Sequence, residues 1–387
     1  MKTTSKSRTK FALLFLFLIV CQACLPSAVA LASTKDDSRQ KIQLAILLDT
    51  SNSMDGLIDQ AKSQLWRMVN EMAKAKNGDI KPQLELALYE YGNDGLSISN
   101  GYIRQLSDFT TDLDKISEQL FALKTNGGSE YCGQVISTST KNLTWDDSKQ
   151  GLKIMFIAGN EPFNQGSVNY VEACAAAKGQ DILINTIFCG NFQEGVNTYW
   201  KKGADITGGS YMNIDQDQKT VYYSTPYDDQ IIQLNIQLNN TYVGYGKTGE
   251  SKKLKQVEQD KNASSYGQSN AVERATSKTK HVYKSDSWDL VDAAESKSVD
   301  LEKIKEDELP KEMKAMAPAQ RKEFVEKKSK DRAAIKKQMS DLEVKRNKFI
   351  ASEKAKAPKV ASAAPALEGA MMESVKKAGA SKSMKFE

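Results

Sequence analysis

Residues 42–48 form an apolar run, Ile-Gln-Leu-Ala-Ile-Leu-Leu, and the next five residues are Asp49-Thr50-Ser51-Asn52-Ser53. The run reads as a strand, and its end reads as a tight loop carrying one carboxylate and two hydroxyls on alternate residues. Groups so spaced converge on one point. Hard oxygens of this kind suit Mg²⁺, which takes octahedral oxygen shells and keeps several of its waters. The loop therefore points to metal-dependent binding.

Lys2, Lys6, Arg8 and Lys10 precede an unbroken Phe- and Leu-rich stretch over residues 11–20, followed by small residues at Ala28-Val29-Ala30 and Ala30-Leu31-Ala32. This is the pattern of a secretory signal peptide over residues 1–32. A retained membrane anchor is the weaker reading, because the apolar segment falls short of the ~20 residues that span a bilayer. Lipid attachment at Cys21 or Cys24 is a minority alternative: Ala23 before Cys24 suits a lipoprotein signal, but Cys21 stands where such signals usually have Leu. The mature chain is expected to be secreted, to the periplasm or outer envelope. It retains Cys132, Cys174 and Cys189. An oxidising compartment allows one of three pairings and leaves an odd thiol, and the favoured reading is buried small hydrophobes with at most one bridge. With His281 the single histidine, thiolate and imidazole metal chemistry is not expected.

Hydrophobic residues make up 40% and charged residues 27% of the 387, a globular average that hides two regions of different character. Residues 41–240 alternate apolar runs with glycine-containing turns. Beyond about residue 250 the chain is rich in Lys, Glu, Ala, Ser and Gln and poor in aromatics. In the first region, residues 42–48, 83–89, 153–158 and 181–189 read as short strands. Leu57, Ala61, Leu65, Met68 and Met72 recur every three or four residues, which predicts an amphipathic helix between the first two. Strand and helix in alternation imply an α/β fold with a doubly wound, mainly parallel sheet flanked by helices. Ligands of such sheets sit beyond the carboxyl ends of the strands, where Asp49 stands.

Two later loops are placed to complete a metal site. Asn126-Gly127-Gly128-Ser129-Glu130-Tyr131-Cys132-Gly133 is a glycine-rich turn opening a helix and offers the Ser129 hydroxyl. Ile157-Ala158-Gly159-Asn160-Glu161-Pro162 ends another apolar strand and offers the Asn160 amide, with the Glu161 carboxylate beside it. Together with Thr207-Gly208-Gly209-Ser210-Tyr211, these loops resemble a von Willebrand factor type A domain with its metal-ion-dependent adhesion site. The resemblance covers roughly residues 42–240. It implies a magnesium at the top of the sheet, with Ser51 and Ser53 as direct ligands and Asp49 acting through water. Ser129 stands where the family usually has Thr, and Asn160 where it usually has Asp.

That last departure removes one negative charge from the shell. It should weaken metal affinity and leave the ion more electrophilic toward an acidic ligand, unless Glu130 or Glu161 restores the charge. The competing reading is a degenerate site in which Asp49 merely caps the next helix.

Catalysis is the poorer expectation. Gly244-Tyr245-Gly246-Lys247-Thr248 has Thr241 where a phosphate-binding loop needs its leading glycine, and reads as a flexible turn. No Gly-x-Ser-x-Gly elbow is present, and His281 lies in a Lys-rich stretch far along the chain from the loops. Asp146-Asp147 and Asp228-Asp229 read as helix-start or surface charges.

Residues 241–356 are expected to form a helical, Lys- and Glu-rich extension. Trp288, Leu290 and Val291 are its one compact apolar cluster, expected to dock on a neighbouring helix or on the sheet domain. Over residues 310–356, Phe324, Ile335, Met339, Leu342 and Phe349 recur at nearly helical intervals among many Lys and Arg. They suggest long, partly exposed helices, in a hairpin pair or coiled coil. Basic helices could meet anionic lipid or polysaccharide, but interleaved Lys and Glu more often form a solvated face. Nucleic acid is not an expected partner. Residues 357–387 read as a disordered tail.

The sequence thus predicts a non-catalytic adhesion or interaction module of the cell envelope. Asp49, Ser51, Ser53, Ser129 and Asn160 would hold Mg²⁺, or Mn²⁺ or Ca²⁺ in its place, and the ion would accept an acidic side chain of a partner protein. The alternative is a structural or assembly protein working through its helical extension, with a vestigial metal site; a hydrolase is a third and poorer reading.

Overall fold

The computed structural model describes residues 40–217, 222–356 and 367–387. The segment expected to be a signal peptide, with Cys21 and Cys24, lies outside the described residues, as do residues 357–366 of the expected tail.

A six-stranded sheet forms the centre. β1 (Lys41–Asp49) leads through α1 (Asp55–Met72) and a two-residue strand, β2 (Ala75–Lys76), to β3 (Gln83–Tyr91) and the edge strand β4 (Ile103–Thr110). Next come α2 (Leu113–Phe121), α3 (Cys132–Asn142), β5 (Leu152–Gly159), α4 (Tyr170–Gly179) and β6 (Leu183–Cys189). The sheet part closes with α5 (Phe192–Asn197), α6 (Trp200–Thr207) and β7 (Tyr211–Ile214). The strand order is β4-β3-β1-β5-β6-β7. All neighbours are parallel except β3 and β4, which run antiparallel. The chain winds outward from β1 to β3 and then, in the other direction, from β1 to β5, so the switch point lies between β1 and β5. Pairing of Asp49 with Tyr91, and of Leu48 with Ala158, sets the three strand ends level at one rim.

Burial explains the continuous apolar runs. Parallel strands covered on both faces gain from apolar side chains at every position, and side chains alternate between faces. Ile42, Leu44, Ile46 and Leu48 accordingly enter one core with Leu57, Ala61, Leu65, Met68 and Met72 of α1. Ala45 and Leu47 enter the other, with Cys132, Val135 and Ile136 of α3 and Cys174 of α4. Cys132, Cys174 and Cys189 are all buried free thiols. β4 and β7 were not foreseen: the first mixes polar and apolar residues at the sheet edge, and the second is only four residues long.

The later helices are α7 (Asp228–Asn239), α8 (Gly249–Ser265), α9 (Gln268–Ser277) and α10 (Leu290–Glu295), followed by α11 (Pro318–Lys356) and α12 (Leu367–Ser381). α9 and α12 both pack on α1. Their Val272, Ala275, Leu367, Met371 and Val375 share the core of the first sheet face, and Trp288 joins that core while Leu290 and Val291 enter a smaller cluster. The buried Arg274 guanidinium lies 4.2 Å from the centre of the Trp66 ring and bonds Asp260, which also takes the buried Lys278 ammonium. The turn at residues 244–248 is held by Tyr245 N–H donating to Trp288 O and Gly246 N–H donating to Glu308 O.

Two expectations need correction. Residues 310–356 do not form a hairpin. α11 is one helix of 39 residues, and its fully buried positions, Val325, Arg332, Met339 and Arg346, recur every seven residues along a narrow seam. The sequence analysis singled out neither arginine. In the fold Arg332 donates to Asp289 Oδ2 (2.6 Å) and to the Thr241 carbonyl (2.8 Å), with Asp292 beside it. Arg346 donates to Asp228 (3.0 Å), Glu273 (2.8 Å) and Ser269 (2.7 Å). Nor are residues 367–387 disordered. Leu367, Met371 and Val375, at four-residue spacing, seat α12 on α1. There the Gln60 and Gln64 side chains accept from the N–H groups of Leu367 (3.0 Å) and Glu368 (2.6 Å), satisfying donors that a helix start leaves open. A final strand, β8 (Lys385–Phe386), pairs with β2. Short apolar spacing among Ala and Lys was too faint a signal. Among the described residues no helix is long and apolar enough to cross a membrane.

Burial raises the Asp289 carboxyl pKa even against the opposing pull of Arg332, so the carboxylate depends on its guanidinium. Arg332→Ala should cost about 3–5 kcal/mol in urea unfolding, because it leaves a buried charge uncompensated. Arg332→Ala combined with Asp289→Asn should recover part of that loss.

Candidate metal centre

Every element of the site sits at the rim of the switch point. β1 delivers Asp49, which is fully buried. Its Oδ1 accepts from the Ser51 N–H (2.8 Å), folding the loop back on the carboxylate. Thr50 N–H donates to the Tyr91 carbonyl (2.8 Å), so the loop is tied to the end of β3. The Ser51 and Ser53 hydroxyls lie 3.2 Å apart. Both terminal atoms of the Asn160 amide fall 3.1–3.4 Å from Ser53 Oγ, which brings the β5 loop to the β1 loop across the switch point. Asp49 does not cap a helix: the turn at Asn52–Met54 and α1 both begin without a side-chain cap.

The glycine turn reaches the same place from a third direction. Asn126 N–H donates to Thr50 O (2.9 Å), and Asp94 N–H donates to Gly127 O (2.6 Å). A Cβ on Gly128 would stand 2.3 Å from the Gly92 carbonyl, so the turn lies directly over that residue. Ser129 is half-buried in this turn. Glu130 turns inward and is 4% exposed. Glu161 stays at the surface, where its Oε2 accepts from Gln165 Nε2 (3.1 Å).

Two glycines make room for the carboxylate. A Cβ on Gly159 would lie 2.6 Å from the Tyr91 hydroxyl and 2.9 Å from Asp49 Oδ2. Gly92, at φ +79°, adopts a backbone conformation that L side chains rarely take. Below the carboxylate, Tyr91 OH donates to the Ala158 carbonyl (2.9 Å).

Electrostatically the site is unbalanced. Burial raises the Asp49 carboxyl pKa well above its ordinary value, and the Glu130 charge raises it further; burial likewise raises Glu130. With both ionised, Asp49 Oδ2 and Glu130 Oε2 are buried and face no donor. Only a shared proton or a cation satisfies them. The donor set consists of hydroxyls, an amide and carboxylates, which fits a hard divalent ion. Among the described residues no group of three or more His, Cys, Asp or Glu side chains is placed to hold a metal. His281 is remote from this rim, with its Nε2 3.3 Å from the Pro82 carbonyl at the start of β3.

The sequence matches no protein-family model and no curated protein. Solved structures are similar to part of it. The conserved hypothetical protein BatB from Bacteroides thetaiotaomicron is 16% identical, with a TM-score of 0.35 over 45% of this chain and 90% of its own. The SpRpn10 VWA domain is also 16% identical, with a TM-score of 0.35 over 46% of this chain and 90% of its own. Proximal thread matrix protein 1 from the mussel byssus, solved with a zinc-occupied MIDAS motif, is 12% identical, with a TM-score of 0.35 over 46% of this chain and 43% of its own. The doubly wound architecture expected for a von Willebrand factor type A-like domain rests on the strand order and pairing described above.

Because the raised carboxyl groups favour their protonated forms, the stability they contribute is complete below the ordinary carboxylate range. It is lost as pH rises through their elevated folded values. In chelator, the wild type should therefore lose denaturant stability relative to Asp49→Asn as pH rises above the ordinary carboxylate range. Gly159→Ala should cost about 1–3 kcal/mol by pressing on Asp49 and Tyr91, read as a lowered urea midpoint.

Proposed function

We propose that this chain is a non-catalytic, metal-dependent protein-binding module of the cell envelope. The single observation that carries the reading is the meeting of Asp49, Ser51, Ser53 and Asn160 at the switch point, beside a buried carboxylate oxygen that no donor among the described residues satisfies. Asp49, Ser51, Ser53, Ser129 and Asn160 would hold the ion, with Mg²⁺ the expected occupant and Mn²⁺ or Ca²⁺ in its place. When bound, the ion would supply a Lewis-acidic position for a carboxylate of a partner protein.

The protein's own groups account for the remainder. Ser51 and Ser53 orient one another, the Asn160 amide fixes Ser53, and the Ser51 N–H holds Asp49 in place. None of these hydroxyls has an imidazole beside it to act as general base, which favours binding over catalysis. A single carboxylate contact in water is weak, so surrounding surface must add affinity. Ile98, Phe192 and Tyr199 are 70%, 50% and 42% exposed and follow the rim ends of β3 and β6, where they can supply apolar contact.

Thermal unfolding with and without Mg²⁺ or Mn²⁺ tests the proposal. At a hundredfold excess over Kd, the ion should stabilise wild type by about 2.7 kcal/mol, while Asp49→Ala should not respond. Partner capture from envelope extract should disappear in chelator. Equal stability and equal capture with and without metal would instead favour a structural protein acting through its helical extension.

A further inference from the structure

Asn160 leaves the third loop without the carboxylate that the resemblance implies, so the site is one negative charge short by sequence. We propose that Glu130, on the glycine turn beside Ser129, is the second carboxylate of this metal site, supplying from the second loop the charge that the third loop lacks. The proposal rests on the metal-binding reading above and specifies its donor set.

Placement carries the assignment. Glu130 is almost wholly buried, and its Oε2 meets no donor among the described residues, as is true of Asp49 Oδ2. The point that a Cβ on Gly92 would occupy is 2.7 Å from Asp49 Oδ1 and 2.7 Å from Glu130 Cγ. The Asp49 carboxyl and the Glu130 side chain therefore approach the same point, which is open because residue 92 has no side chain. Glu161, the other acid near Asn160, is surface-exposed and bonded to Gln165.

Among the described residues no guanidinium, ammonium or imidazole forms an ion pair with either buried acid, although the acids Asp228, Asp260 and Asp289 of the helical region each have one. Two adjacent buried carboxylates without a cation oppose folding, and a bound dication resolves that conflict. With Asp49 and Glu130 both contributing, the shell carries two negative charges against the two positive charges of the ion. The site is then neutral before a partner carboxylate arrives, and the extra electrophilicity expected from Asn160 alone is removed.

Isothermal titration of the purified chain with Mn²⁺ tests this. E130Q, which is isosteric, should weaken Mn²⁺ binding by about tenfold or more, whereas E161Q should leave it within about twofold. N160D in the E130Q background should restore most of the affinity by returning a carboxylate to the third loop. In EDTA, E130Q should unfold at a higher temperature than wild type, since one of two facing charges is gone; this readout also shows that the variant folds. Wild-type affinity in E130Q alongside lost affinity in D49N would overturn the assignment and leave the metal site standing. A wild type that binds no Mn²⁺ would overturn both.

Discussion

The fully buried Asp49 carboxylate is the constraint around which the rim is organised. It stands at the end of the central strand, where the chain winds away in both directions, and the loops that follow β1, β3 and β5 all bend toward it. Gly92 and Gly159 lack side chains where a Cβ would strike its oxygens. One oxygen is satisfied by the Ser51 N–H and the other is not satisfied by any described group. A buried group left in that condition costs free energy in the isolated fold. Such costs persist where a ligand repays them.

That arrangement separates the two parts of the chain by the way they handle charge. In the helical region, buried acids are matched within the protein: Asp228 by Arg346, Asp260 by Arg274 and Lys278, Asp289 by Arg332. At the rim, Asp49 and Glu130 are buried together without a basic partner. The same chain therefore pairs the acids of its helical region internally and leaves the two rim acids without a cationic side chain among the described residues.

The strands were legible wherever burial on both faces demanded unbroken apolar sequence, as over residues 42–48 and 153–158, and α1 was legible from its spacing. The Asp-x-Ser-x-Ser loop was legible because ligand type and spacing are local. The orientation of Glu130 was not, because it depends on how the glycine turn lies over Gly92, a contact between distant segments. Edge strand β4 escaped notice because half-exposed positions carry no clean alternation. The roles of Arg332 and Arg346 were not legible, since their carboxylate partners sit between 40 and 118 residues away in sequence. α12 was hidden by its Ala- and Lys-rich composition, although Leu367, Met371 and Val375 mark its buried side.

The seam of α11 also limits how that helix can move. Its two guanidinium pegs are fourteen residues apart, about 21 Å along the axis, and each fits a separate acidic socket on a different part of the body. A slip by one turn would pull both pegs out at once and drag charge across Val325 and Met339. Gradual sliding is thereby forbidden: the rod is either fully latched or wholly released, and thermal agitation should find no stable halfway position.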